Sequence, residues 1–297
     1  MTVKIDPFAK IRKRSDGLLS PEKPKRETVA MTNLGLFDNV PSDEYHALDA
    51  LSSSALKELA RSPAHLLEYL THKPEPTAAM HFGTATHSAV LENGLETGAV
   101  IKGPAKSRVA AAWGAFADAN PGKIIVTHDE YARIENVVEA IRKHPTASLL
   151  LAGGKAEQSA LWKDPATGVY CKCRPDYLRP DNRIIDLKTS ADASPEGFQR
   201  SIMKYKYHWQ SAWYLDGMSQ VLGTQLEDLV HLVVETEAPY GIGIYVLDNE
   251  SLDKAREDIK KLLAKYVECL HTGEWAGYAA GIQNISIPSW GFHEEVA

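Results

Sequence analysis

Residues 174–189 read RPDYLRPDNRIIDLKT, and the fold turns on how this stretch doubles back. Two short β-prone runs, PDYL and RIIDLKT, flank Pro180-Asp181-Asn182, three residues of turn-forming type. With those three as the loop, Asp176 lies directly across from Asp186. Residues opposed on one face of an antiparallel pair have Cβ atoms about 5 Å apart, and like charges there destabilise the pairing. Such a pair gains nothing structural unless a cation lies between the carboxylates. Lys188, two residues past Asp186, shares its face because side chains alternate along a strand. The inference depends on register, since a loop of two or four residues would send the aspartates to opposite faces.

Two carboxylates suit Mg²⁺, with Mn²⁺ as a substitute, because this hard ion keeps several waters and completes its shell from substrate phosphate. A lysine beside it can orient or deprotonate the attacking water while the metal stabilises charge on the phosphate. Taken alone, Asp-x-Lys is more often a solvated strand edge with a trivial ion pair. The surrounding sequence gives it weight.

Working outward, residues 157–188 alternate β-prone runs with turn signals, which predicts an antiparallel meander. Upstream the patterns are helical. Ser52-Ser53-Ser54 precedes ALKELA, Pro63 opens HLLEYL, and MHFGTATHSAVLE carries an apolar stripe of Phe82, Ala85, Ala89 and Val90. Residues 104–119 and 129–151 continue this pattern, the second broken at His144-Pro145. Downstream come a helix over 204–221, a strand pair in LVHLVVETE and YGIGIYVLD, and a long amphipathic helix over 250–271. The expected architecture is α/β: a central mixed sheet with an antiparallel meander, flanked by helices and a helical N-terminal cover. Residues 1–42 read as a flexible basic tail, 43–275 as one folded domain and 276–297 as a C-terminal extension.

Composition narrows the partners. The 297 residues are 44% hydrophobic and 24% charged, ordinary for a soluble globular chain. No run of about 18 apolar residues could span a membrane, and MTVKIDPFAKIRKR lacks the apolar core of a secretory leader. Three cysteines cannot build a disulfide framework, and Cys171-x-Cys173 is not zinc-knuckle spacing, so a reducing cytoplasm is expected. A net charge of −6 argues against a protein that coats nucleic acid non-specifically. It leaves room for an enzyme that keeps its positive charge inside a channel.

Pro175-Asp176 followed by Asp186-Leu187-Lys188 resembles the PD-(D/E)xK nuclease core, with Asp in place of the commoner Glu. Gly83-Thr-Ala-Thr-His87 is similar to the Gly-x-x-x-His helix of the RecB-like branch of that superfamily, Glu157 holds the position of its glutamate, and Gln210-Ser-Ala-Trp-Tyr214 matches its Gln-x-x-x-Tyr helix. With LSSSALKELARSP, GPAKSR and YKYHWQSAWYLDG, residues 43–275 resemble the C-terminal nuclease domain of exodeoxyribonuclease VIII (RecE) and its phage relatives. That resemblance implies 5′→3′ degradation of double-stranded DNA from an end, beside a single-strand annealing protein, by a ring-shaped homo-oligomer in the bacterial host cytoplasm.

It also implies roles. Asp176 and Asp186 would be metal ligands, joined by the Leu187 carbonyl, His87 and Glu157, with Lys188 the catalytic lysine. A lone histidine on an apolar helix is otherwise more often core, and Glu157 could equally be an exposed strand-end acid. Gln210 and Tyr214 share a helix face, so the amide could steady Lys188 or a phosphate and the hydroxyl assist, or Tyr214 could simply pack. Arg174 could grip a phosphate in bidentate fashion or equally be a surface strand residue, and Ser53, Ser54, Lys106 and Arg108 are weaker candidates for the DNA path. A non-haem iron site built from His87, Asp176 and Asp186 fits neither ligand count nor spacing. A non-catalytic or structure-specific DNA-binding or endonuclease member of the same fold is the alternative function.

Overall fold

The computed structural model describes residues 34–72, 75–226 and 228–287. Its centre is a five-stranded mixed sheet. The strand over Ile184–Ser190 (β8) lies in the middle, antiparallel to Tyr177–Leu178 (β7), which pairs antiparallel with Lys155–Ala156 (β4). On its other side β8 runs parallel to Leu229–Glu235 (β9), which pairs antiparallel with Ile242–Val246 (β10). Tyr177 faces Ile185 and Leu178 faces Ile184, the register the three-residue loop requires. Turn chemistry sets it: Arg179 N–H donates to Arg183 O at 2.9 Å, and Asn182, at φ 60°, adopts the left-handed conformation that asparagine tolerates.

Alternation along β8 then sorts its side chains. Ile185 and Leu187 enter a core built with Val137, Ile141, Ala147 and Leu150 from the helices His128–Lys143 (α6) and Pro145–Leu150 (α7). Ile184 faces the opposite core, with Trp209, Trp213, Leu215 and Met218 of the helix Tyr207–Leu222 (α9). The helices Ser53–Arg61 (α2) and Asn249–Thr272 (α10) close that side through Leu56, Leu59, Leu252 and Ile259. Asp186 and Lys188 fall on the α9 side of the strand. As the chain pattern predicts, His144-Pro145 separates α6 from α7, with His144 as cap of both. The helix carrying Gly83 and His87 spans Ala78–Leu91 (α4).

Four expectations need correction. The meander over 157–188 is two sheets. Ser159–Lys163 (β5) and Tyr170–Cys173 (β6) form a hairpin in a separate three-stranded sheet, while β4 and β7 join the central one. The break falls at Glu157, whose φ of 52° turns the chain out of the strand. The tail also ends earlier: Gly35–Phe37 (β1) pairs with β5, and three residues are too short for any period to show. The rest of the N-terminal expectation lies outside the described residues. Only Ala112–Ala119 (α5) of 104–119 is helical, and it sits between two short parallel strands, Val100–Lys102 (β2) and Ile124–Val126 (β3). Finally, the helix over 204–221 is two, Pro195–Tyr205 (α8) and α9, hinged at Lys206 with φ 56°. The remaining short helices are Ser42–Ala47 (α1) and Pro63–Thr71 (α3). Residues 276–287 carry no regular structure, and no helix among the described residues is long and apolar enough to cross a membrane.

Candidate active site

The acids gather where β7 stops. Beyond Tyr177 the next residue, Asp176, is no longer in the strand, and its Oδ2 accepts the Leu187 N–H at 2.8 Å. A carboxylate thus takes the ladder position that β7 would have filled. The N–H and C=O of a strand residue point the same way, so the Leu187 carbonyl faces this same opening. On the far side Glu157 N–H donates to Asp176 O at 3.0 Å. Glu157, just past the end of β4, and Asp176, just before the start of β7, therefore stand in one row with Asp186 inside β8.

Each acid has a different environment. Asp186 is fully buried. Its Oδ2 meets Lys188 Nζ at 2.5 Å and His231 Nδ1 at 3.1 Å, and its Oδ1 accepts the Gln210 amide at 2.9 Å. Burial alone would raise its pKa, but Lys188 and His231 override this and hold it well below the usual carboxylate range. Asp176 Oδ2 also contacts His87 Nε2 at 3.0 Å. Burial would lower the His87 pKa, yet the Asp176 carboxylate beside it raises it to about 9. Glu157 is raised to about 7, first by burial and then by Asp176, against the pull of His87 and Arg174.

Lys188 is held by the same set. Burial would lower its pKa, but Asp186 and Asp176 raise it, so the side chain is an ammonium. Gln210 accepts from it at 3.3 Å with Oε1 while its Nε2 binds Asp186, which locks acid and lysine together. The Tyr207 ring lies under Lys188 at 4.6 Å from the centroid. The cation that an opposed aspartate pair demands is therefore supplied twice over by the chain itself, as Lys188 and as charged His87.

The donor chemistry fits a divalent ion: carboxylates and a carbonyl supply hard oxygen ligands, with one imidazole beside them. His87 supports this, because its Nδ1 contacts Gly83 O one turn back at 2.8 Å, which in the neutral ring presents Nε2 as a ligand. Among the described residues, however, no group of three or more His, Cys, Asp or Glu side chains converges as a finished cage. Asp186 and Asp176 spend ligand atoms on Lys188, His231 and His87. An arriving cation would exchange with these internal partners.

Of the remaining expected residues, Ser53, Ser54, Glu157, Arg174 and Tyr214 line one cleft of about 720 Å³. Ser53 is itself buried, near the Ser52 cap of α2. Tyr214 packs in the core, its hydroxyl pKa pushed far up by burial. Arg174 corrects the expectation of a free phosphate fork: Nε donates to Ser159 Oγ at 2.9 Å, Nη2 to Val40 O at 2.8 Å, and the guanidinium covers Tyr45. Lys106 and Arg108 lie on the 103–111 loop, away from the cleft lining. Lys106 is exposed, whereas Arg108 grips both oxygens of Glu130 at 2.9 and 2.7 Å.

Two neighbours of the site escaped sequence reasoning. His231, fully buried in β9, pairs in register with Asp186 and is bound by Ser211 Oγ at 2.9 Å. Its one signal was a histidine inside the otherwise apolar run LVHLVVE. Lys57 on α2 lies 5.7 Å from the Tyr207 centroid, its pKa lowered to about 8 by burial and by Lys188.

Comparison with known proteins bears on the fold and the family. In a solved structure from Eubacterium rectale, provisionally named an exonuclease, the fold overlays with a TM-score of 0.59 at 15% identity, covering 87% of this chain and 99% of that one. A phage-related exonuclease from Haemophilus somnus overlays at 0.32 with 14% identity, over 76% of this chain and 96% of its own. The first overlay shows the shared fold. No curated protein matches the sequence. A family model does, over residues 52–287. That span includes the helix of His87, the row of acids, Lys188 and Gln210, and by it the chain belongs to the family of PDDEXK-like domains of unknown function (DUF3799).

Proposed function

We propose that this chain is a Mg²⁺-dependent deoxyribonuclease that degrades double-stranded DNA from an end. The observation that carries the reading is the row of Glu157, Asp176 and Asp186 across three neighbouring strands, with Lys188 two residues past the last acid and salt-bridged to it. Bound there, a divalent cation would draw the scissile phosphate in and stabilise the charge that builds on it. The chain's own groups do the rest. Asp186, fixed from three sides, holds Lys188 in place, and Gln210 sets the direction of the ammonium. Lys188 as an ammonium orients the attacking water or donates to the phosphate.

The finer parts of the reading rest on motif resemblance. They are end-dependent 5′→3′ polarity, a ring-shaped homo-oligomer, action beside a single-strand annealing protein in phage-type recombination, and a place in the host cytoplasm. Digestion of linear and covalently closed circular duplexes, with either end labelled and Mg²⁺, Mn²⁺ or chelator present, tests them together. Linear DNA should shorten from its 5′ ends with either metal and survive in chelator, and Lys188→Ala should be inactive. Cleavage of closed circles removes the exonuclease claim, and undiminished activity of Lys188→Ala removes the site assignment. Tight binding without cleavage under both metals supports a non-catalytic DNA-binding role instead.

A further inference from the structure

Lys57 differs from the two paired lysines, Lys188 and Lys172, that are withdrawn from solvent near it. Lys188 is paired with Asp186 and Gln210, and Lys172 donates to the carbonyls of Tyr45, His46 and Leu48. Lys57 is half-buried as well, yet among the described residues it has neither an ion-pair nor a hydrogen-bond partner. Its one close contact is the Tyr207 ring, which it shares with Lys188, so the two ammoniums lie no more than about 10 Å apart. A half-buried cation beside a second cation is costly to keep without an anion. Asp186 attracts Lys57 only from beyond hydrogen-bond reach, because its oxygens are already taken by Lys188, His231 and Gln210.

With Asp186 matched to Lys188, Lys57 is the ammonium in excess on that side of the site. Along α9, Tyr207 stands one turn before Gln210, and Gln210 one turn before Tyr214, which lines the cleft beside Glu157. The helix thus passes first the two lysines, then the Asp186–Lys188 pair, then the cleft. An anionic polymer laid along it would meet Lys57 immediately next to the reaction centre.

We propose that Lys57 binds a backbone phosphate of the DNA strand being cut, adjacent to the phosphate that Lys188 faces, with the Tyr207 ring as the wall between them. The inference rests on the nuclease reading above. It gives Lys57 a binding role and no part in bond breaking: the ammonium neutralises one phosphate and fixes the strand's register at the acids.

The test uses the full-length chain with Lys57→Met, which keeps the aliphatic stem, and Lys57→Arg, which keeps the charge. Duplex binding is measured by fluorescence anisotropy in chelator over a salt series, and cleavage is measured with Mg²⁺. One lost phosphate contact should reduce the slope of log K against log salt by about 0.9. KM for Lys57→Met should rise about tenfold with kcat changed less than twofold, the mark of lost ground-state binding. Lys57→Arg should restore both. Because the ammonium has no hydrogen bond or ion pair to lose and the methionine stem keeps the contact with the Tyr207 ring, Lys57→Met should fold with an unchanged or higher melting temperature. A clearly lower melting temperature overturns the proposal by making Lys57 a structural residue. Wild-type protein that binds and cuts while Lys57→Met matches it in slope and KM overturns the proposal alone. Wild-type protein that neither binds nor cuts duplex DNA overturns the nuclease reading and this inference with it.

Discussion

Asp186→Asn removes one charge and almost no volume, so it isolates what the carboxylate does for the fold. Asp186 is fully buried, with Lys188 at 2.5 Å, His231 at 3.1 Å and Gln210 at 2.9 Å. The amide leaves Lys188, only 14% exposed at its side chain, without a counter-charge, and turns an N–H₂ toward groups that themselves donate. Breaking a buried pair in this way costs about 3–5 kcal/mol. At ~2–4 °C per kcal/mol the melting temperature falls by about 6–20 °C, the lower end suiting a chain of this length. The folded-state pKa of Asp186 is depressed. Its contribution is therefore fully present above the unfolded value of about 3.9 and lost as pH falls through the folded one, so pH 7 in chelator reads all of it. Urea unfolding followed by tryptophan fluorescence, with calorimetry beside it, gives the number. Asp176→Asn should cost less, since that carboxylate is partly exposed. A variant at Asp186 as stable as wild type, or more so, would refute the reasoning. The carboxylate would then be a strained functional group rather than the centre of a compensated cluster.

Gln210→Ala unlocks Lys188 from Asp186; DNA cleavage should fall about 10–100-fold, as for lost outer-shell partners, with the circular dichroism spectrum unchanged. Glu130→Gln keeps the capping box of α6 but removes the charge paired with Arg108. Burial raises the Glu130 pKa, but Arg108 and Thr127 outweigh it and the net shift is down. The stabilisation is present above the ordinary glutamate pKa and lost as pH falls through the lowered one, so the stability difference from wild type should be large at pH 7 and close below about pH 4. Gly217→Ala places a Cβ 2.5 Å from the buried Trp162 ring; overpacking there should cost about 1–3 kcal/mol in urea unfolding, and no loss would mean that the ring moves aside freely.

Local chemistry wrote the parts of this fold that were legible beforehand. Pro180-Asp181-Asn182 fixes a three-residue loop, the loop fixes the register, and the register brings Asp176 beside Asp186, although Asp176 leaves the strand and turns its carboxylate onto the Leu187 N–H. The helix of His87 buries Phe82, Ala85 and Ala89 at helical spacing, so its face could be read. What stayed hidden depends on contacts distant in sequence. The parallel pairing of β8 with β9 carries no local signature, so His231 could not be placed beside Asp186. The split of the supposed meander hinges on one left-handed residue, Glu157, which is not a type that favours that conformation. Arg174 and Arg108 looked free because their partners, Val40, Ser159 and Glu130, are 15 to 134 residues away.

The opposed aspartates were first an electrostatic puzzle that only a cation could resolve. The chain resolves it unequally. Asp186 is bound from three sides, by a lysine, an imidazole and an amide, and none of the three can leave without exposing a buried charge. Asp176 is lighter: its side chain is 16% exposed, its charge partner His87 sits on a neighbouring helix, and its other bond is to a backbone N–H. A divalent ion entering at the strand ends would therefore exchange first with the His87–Asp176 contact, freeing an imidazole and a carboxylate oxygen together, both of which it can use. Asp186 is the fixed point from which Lys188 is aimed. Asp176 and His87 are the part of the site able to change partners, and Glu157, lifted to about 7 beside them, is the carboxyl that an added positive charge would most readily ionise.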